Sequence, residues 1–267
     1  MSLVAEDVLV RYGARRSVAD ALRRRPPQAV PAVDGVRLSL DKGTILALVG
    51  ESGSGKSTLA RCLVRMQQLA GGRVTADGVD LTALRGGQLK AFRRRVQMIF
   101  QDPYESLVPR QCVRDIVAEG LAIHGVPRAE RDERVDAALA AVGLTPVESF
   151  LDRRPFELSG GQRQRVAIAG SLVLEPDYLI ADEPVSMLDV SVRAGVLKLF
   201  DELRRTRELG ILLITHDLAT AVHVADHIAV MHRGRIVEQG PATQVTQSPA
   251  HSYTRALLAA TPDLSFE

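Results

Sequence analysis

The stretch GESGSGKST at 50–58 decides how this chain is read. Gly50, Gly55, Lys56 and Ser57 fall at the fixed places of the pattern G-x-x-x-x-G-K-[ST]. Before it runs TILALV (44–49), apolar and rich in strand formers. After it, TLARCLVRM (58–66) carries apolar residues at helical spacing. Strand, glycine loop and helix in that order form an anion cradle. The loop from Gly50 through Ser52, Gly53 and Ser54 to Thr58 can turn successive backbone N–H groups inward, and the helix N-terminus adds partial positive charge. Lys56 is placed to neutralise β- and γ-phosphates, and the Ser57 hydroxyl to ligate Mg²⁺. A glycine-rich turn beside an ordinary surface lysine is the competing reading, and a full match in this context disfavours it. The stretch is a nucleotide phosphate site.

Composition sets the outer limits. A chain of 267 residues can bury a sizeable core as one α/β domain or a domain with a subdomain. Hydrophobic residues at 46% and charged ones at 25% are ordinary for a soluble globular protein. No apolar run approaches the roughly 18–20 residues of a membrane span, and MSLVAEDVLV lacks the basic start and apolar stretch of a signal peptide. A cytosolic chain that meets a membrane only through partners is expected. Cys62 and Cys112 are too widely spaced for a metal or disulfide framework. A net charge of +2 argues against a non-specific nucleic-acid binder. Asparagine is absent, which removes the Asn-Lys-x-Asp base-reading motif of a GTPase.

Along the chain, LVAEDVLV (3–10) reads as a first strand ending near Tyr12, and an Arg/Pro-rich loop follows at 14–31. VRLSL (36–40) alternates as a half-buried strand should, and RVTADGVDL (73–81) reads as a hairpin about Asp-Gly. VQMIF (96–100) is a buried strand ending at Gln101. From 102 to 175 strands vanish and helical patterns take over at 112–124, 127–142 and 161–174, as in a helical subdomain inserted into the α/β core. YLIAD (178–182) and ILLIT (211–215) are apolar enough for central parallel strands, with an amphipathic helix at 190–209 between them. A hairpin about Arg-Gly (227–240) and a short helix (253–260) close the chain.

A phosphate loop alone suits a kinase, a GTPase or a transport ATPase. In YLIADEP (178–184), a buried strand ends in Asp182, which can hold Mg²⁺, and Glu183 follows at the strand's C-terminal edge, where it can accept a proton from an attacking water. An acidic capping turn is the bland alternative. In LSGGQRQR (158–165), Ser159 can cap a helix while Gly160 and Gly161 leave its first amides open, a second anion site far along the chain. A P-loop kinase has no need of two.

With LSGGQ the chain resembles the nucleotide-binding subunit of an ABC transporter, over nearly its whole length. The resemblance implies an ABC-type P-loop NTPase core, with an N-terminal antiparallel β subdomain and the inserted helical subdomain at 102–175. It also implies ATP and Mg²⁺ as ligands. By that resemblance Gln101 in IFQDP senses Mg²⁺ and water, and Asp189 in SMLD crosses a dimer interface. His216 in LLITHD holds the γ-phosphate, and Tyr12 stacks on adenine, against the bland reading of a surface-packing tyrosine. Two cassettes sit head to tail, each ATP lying between one chain's phosphate loop and the Ser159–Gly160–Gly161–Gln162 turn of the other.

Finer strings point to one branch. AVDGV (32–36), IFQDPYESLVPR, ADEPVSMLDVSV and SPAHSYTRALLAATP resemble the dipeptide, oligopeptide and nickel importer ATPases, and the segment 241–267 matches their short tail. The resemblance implies a second ATPase subunit, two permease subunits and an external solute-binding protein as partners, no nucleic acid, and a place on the cytoplasmic face of the inner membrane. The segment 101–110 is expected to meet the permease, presenting Tyr104 and Leu107. Gly170 and Ser171 depart from the Arg-Ala of those relatives, and the early end after 260–262 predicts no cysteine-rich extension. A soluble mechanical ATPase would need coiled-coil heptads that are not found, and a phosphotransferase leaves LSGGQ unexplained.

Overall fold

A computed structural model describes residues 1–12, 30–102 and 107–261. Most of the Arg/Pro-rich loop and Tyr104 lie outside the described residues. Strand β1 (Ser2–Arg11) pairs antiparallel with β2 (Pro31–Asp41). β3 (Ile45–Val49) leads into helix α1 (Lys56–Leu63). β4 (Gly71–Ala76) and β5 (Val79–Asp80) form the expected hairpin. Asp77 and Gly78 have φ of 50° and 81°, the left-handed pair of a type I′ turn. Helix α2 (Gly86–Arg95) precedes β6 (Val96–Ile99). Helices α3 (Val113–Ile123), α4 (Arg128–Ala141) and α5 (Gly160–Leu172) separate β6 from β7 (Tyr178–Asp182). Then follow α6 (Val190–Arg207), β8 (Gly210–Thr215), α7 (Leu218–Val224), β9 (His227–His232) and β10 (Arg235–Pro241). α8 (Ala242–Gln247) and α9 (Ser252–Ala259) close the described chain.

The strands form two sheets. The first has the order β2-β1-β4-β5 and is antiparallel. The second has the order β10-β9-β3-β8-β7-β6, parallel throughout except for β10 at its edge. β3, β7 and β8 are buried at every position, because both faces of a parallel sheet are covered and their sequences supply apolar side chains to both. The period of two then divides them. Leu46, Leu48, Leu212 and Ile214 join a core with the first sheet and α1. Ile45, Leu179, Ile211 and Leu213 join the core of α3–α6. Each fully buried Leu or Ile contributes about 1.5–3 kcal/mol.

Polar groups fix the two sheets against each other. The Tyr178 ring is fully buried, and its hydroxyl donates to Asp77 in the β4–β5 turn at 3.0 Å. Arg95 bridges Asp77 and Asp177, and Lys42 donates to Asp177 at 2.5 Å. Among the described residues no helix is long and apolar enough to cross a membrane.

One surface expectation is corrected. Leu107 is only 4% exposed and packs in the core of α3 and α5 rather than standing out for a partner. A leucine beside an apolar helical layer gains more from burial than a loop gains from presenting it.

Candidate nucleotide site

The phosphate loop leaves the C-terminal end of β3, where a parallel sheet opens its ligand crevice. Two glycines are there for close approach. A Cβ on Gly50 would lie 2.1 Å from the Met231 carbonyl oxygen, and one on Gly55 would lie 2.2 Å from that of Ala32. The loop is therefore wedged between the end of β9 and the start of β2, and Gly55 begins α1 with φ of 108°. Gly234 N–H donates to the Ser54 carbonyl at 2.8 Å and pins it from the β9–β10 turn. Lys56 is 5% exposed and folds back across the loop, donating to the carbonyls of Gly50 at 2.7 Å and Glu51 at 2.8 Å. Burial lowers its pKa from the usual lysine value, and attraction to Glu183, Asp182 and Glu51 offsets part of that.

Tyr12, Ser52, Gly53, Gly55, Lys56, Ser57, Thr58, Gln101 and Glu183 line one cleft of about 290 Å³, together with Ala32. Tyr12, directly after β1, reaches Thr58 Oγ1 with its hydroxyl at 3.1 Å. Ser57 donates to Asp182 Oδ1 at 3.1 Å. Burial raises the Asp182 carboxyl above its ordinary value; the Ser57 hydrogen bond opposes this, while the charge of Glu183 adds to it. A buried carboxylate so placed, with the Ser57 hydroxyl beside it, supplies hard oxygen donors that fit Mg²⁺. No cluster of three or more His, Cys, Asp or Glu with metal-holding geometry occurs among the described residues.

Glu183 is held at φ of 46°, left-handed for a residue with a side chain. Its N–H donates to Ile214 and its Oε2 meets His216 Nδ1 at 3.1 Å and Gln101 Nε2 at 3.4 Å. The three residues read from separate motifs thus converge on one carboxylate. His216 in turn stands before a capped helix. Asp217 Oδ1 accepts from the amides of Ala219 and Thr220, and Arg193 approaches Asp217 at 3.4 Å. Asp217, Arg193 and Ala32 were not singled out from sequence. Asp217 carried a readable signal, an Asp directly before a helical run.

The signature turn is separate from this cleft. Ser159 caps α5, accepting from Gln162 N–H at 3.3 Å, and Gln162 Oε1 accepts from Ser159 N–H at 2.9 Å. The cap occupies the third amide, so the open ones are those of Gly160 and Gly161. Gly161 has a further reason to lack a side chain: a Cβ there would lie 2.4 Å from Val192 Cγ1 on α6. Asp189 stands at the start of α6. None of Ser159, Gly160, Gly161, Gln162 or Asp189 lines the cleft of the phosphate loop.

Fold and site define a class, a nucleotide-binding cassette with a phosphate loop, an Asp-Glu pair and a signature turn. The sequence pattern of the ABC transporter family matches residues 33–186, more than half of the chain. The chain belongs to that family and is one of its ATPases. It is 42% identical over 250 residues to the oligopeptide transport ATP-binding protein OppF of Streptococcus mutans, covering 93% of this chain and 80% of that one. It is 46% identical over 241 residues to the dipeptide transport ATP-binding protein DppF of Escherichia coli, covering 90% and 72%. The glutathione import ATP-binding protein GsiA of Shigella dysenteriae is 45% identical over 249 residues, and the match spans 93% of this chain but 40% of GsiA. Among solved structures, the dimeric bacterial ABC transporter cassette MJ0796 superposes with a TM-score of 0.77 at 25% identity, over 90% of this chain and 98% of that chain. Its post-hydrolysis dimer bound to ADP and Pi gives 0.76 at 25% identity, with the same coverage.

Proposed function

We propose that the chain is the ATP-hydrolysing subunit of a peptide importer and that it works as one of a head-to-tail pair of cassettes. The observation carrying this reading is the separation of the signature turn from the cleft. One chain holds the phosphate loop, Asp182, Glu183 and His216 together but leaves the open amides of Gly160 and Gly161 outside that cleft. A second cassette turned to face the first brings those amides to the exposed side of the bound triphosphate.

Lys56 and the loop amides bind the phosphates, Tyr12 offers its ring to the base, and Ser57, Gln101 and Asp182 hold Mg²⁺. The ion, when bound, neutralises phosphate charge. Glu183 takes the proton of the attacking water, and His216 orients the carboxylate and contacts the γ-phosphate. The solute class follows the relatives: those reported above carry names for oligopeptide, dipeptide or glutathione transport, which favours peptides over nickel. The helical segment 102–175 is the subdomain that faces the permease and 241–267 a tail of this branch. The site of action is the cytoplasmic face of the inner membrane, beside two permease subunits fed by an external binding protein.

Glu183→Gln tests the reading. The amide keeps the shape but is no base, so hydrolysis in the assembled complex falls by roughly 10²–10⁴-fold. Mg-ATP binding persists, and a dimer accumulates on size exclusion. Wild-type turnover by this variant, assembled with its partners, removes Glu183 from the chemistry. Failure of any ATP-bound dimer to form removes the head-to-tail arrangement.

A further inference from the structure

The tail resembling that of the importers reaches the phosphate loop. Glu51 N–H donates to the Tyr253 hydroxyl at 3.2 Å, across a sequence separation of 202 residues. The next peptide is held as well, where the Glu51 carbonyl accepts from Lys56 Nζ at 2.8 Å and from Ser54 N–H at 3.2 Å. Glu51, Ser52 and Gly53 are the exposed crest of the loop, and a Cβ on Gly53 would meet nothing within 4 Å. The glycines at its two ends are wedged against backbone, but the crest has no such wall. Tyr253 supplies a tether there.

The tether is itself anchored. The Tyr253 ring lies 4.0 Å from the His232 ring, centroid to centroid, and His232 follows the Met231 carbonyl that Gly50 presses against. His251 Nδ1 caps α9 by accepting from Tyr253 N–H at 3.1 Å. Glu238 on β10 accepts from the amides of Ala250 at 2.7 Å and His251 at 3.0 Å. A path of named contacts thus runs from β10 through the start of α9 to the loop that surrounds the triphosphate. Burial also raises the Tyr253 phenol above its ordinary value.

We propose that Tyr253 is a positioning residue for nucleotide binding: its hydroxyl holds the Glu51 peptide so that the phosphate loop is ordered before ATP arrives. This rests on the nucleotide reading of the cleft and adds the tail to it. A loop ordered in advance costs the ligand less on binding, so the effect falls on affinity rather than on the chemical step.

The test is Tyr253→Phe, which deletes the hydroxyl and keeps the ring on His232. One neutral hydrogen bond corresponds to about a 2- to 10-fold change. The KM for ATP of the assembled transporter and the Kd of the isolated chain should rise by that factor, with kcat unchanged. Amide exchange at Glu51 in the nucleotide-free chain should accelerate by a similar factor. Glu238→Ala, which loosens the tail without touching the loop, should reproduce the rise in KM. If wild-type chain binds no Mg-ATP, the nucleotide reading itself falls. If wild type binds and Tyr253→Phe matches it in KM, Kd and Glu51 exchange, the inference alone falls. A lower Tm with KM and Glu51 exchange unchanged makes Tyr253 merely structural and also overturns it.

Discussion

Tyr12 directly follows β1, with 47% of its surface exposed and its hydroxyl on Thr58. An aromatic in that position has an open face beside the cleft and an edge fixed by one hydrogen bond. The ring and the hydroxyl can be separated by substitution. Tyr12→Ala should weaken ATP binding by about 1–3 kcal/mol, the scale of base–aromatic stacking. Tyr12→Phe should lose less than about 1 kcal/mol, since only an exposed hydrogen bond goes. GTP should follow ATP, because both purines offer a π-face. Equilibrium titration decides: equal losses for both variants would assign the contribution to the hydroxyl, and no loss in either would leave Tyr12 a packing residue. At this scale, the placing of motif residues was legible wherever they lie close in sequence, as for Lys56 with Ser57 and Asp182 with Glu183. Tyr253 on Glu51 was not, because a contact spanning 202 residues leaves no local pattern. The left-handed φ of Glu183 was also invisible, since nothing in Asp-Glu-Pro demands it before the turn is built.

Among the elements, the central strands were the easiest to read because burial on both faces writes a continuous apolar run. Helix α2 went unread for the converse reason. GGQLKAFRRR buries only Phe92, so no apolar stripe marks it. The short helices α7 and α8, of 7 and 6 residues, fall below the window in which helical periodicity can be distinguished. The pair α5 and α6 adds a constraint that the signature motif conceals. Gly161 reads as a residue that opens an anion site, but its missing Cβ also lets Val192 approach. Gly161→Ala should push the two helices apart at a cost of about 1–3 kcal/mol, the scale of overpacking. On the proposed head-to-tail arrangement the turn serves a partner's nucleotide, so isolated chains should bind ATP as wild type does. ATP-driven dimerisation should weaken by roughly 10-fold or more. Adding Val192→Ala should restore most of it. Weaker ATP binding in the isolated chain, or no rescue by Val192→Ala, would show that the glycine acts in some other way.

On the proposed function the whole molecule passes closure of the nucleotide cleft to another protein, and its surface has a groove next to Gln101. A groove of about 260 Å³ lies between β6, α3 and α5, with Phe100, Leu107, Ile116 and Gly170 on its walls. Leu107 is buried, so a charge there would disrupt the helical core before it tested any contact. Ile123 at the end of α3 is the better probe, lining the same groove while 59% exposed. Gly170 adds room, since a Cβ there would find its nearest neighbour, the Ile116 carbonyl oxygen, only at 4.0 Å. The groove adjoins the end of β6 at Ile99, two residues before Gln101, and Gln101 reaches Glu183, so a helix seated in it would lie close to the carboxylate proposed as the base. Ile123→Asp should therefore fold and bind Mg-ATP as wild type does. Its recovery with the permease from solubilised membranes should fall by roughly 10-fold, the effect of an unpaired charge costing about 1–3 kcal/mol in an apolar contact. Solute-stimulated ATPase should fall with it. An Ile123→Asp chain that assembles and transports like wild type would place the permease contact elsewhere on the surface.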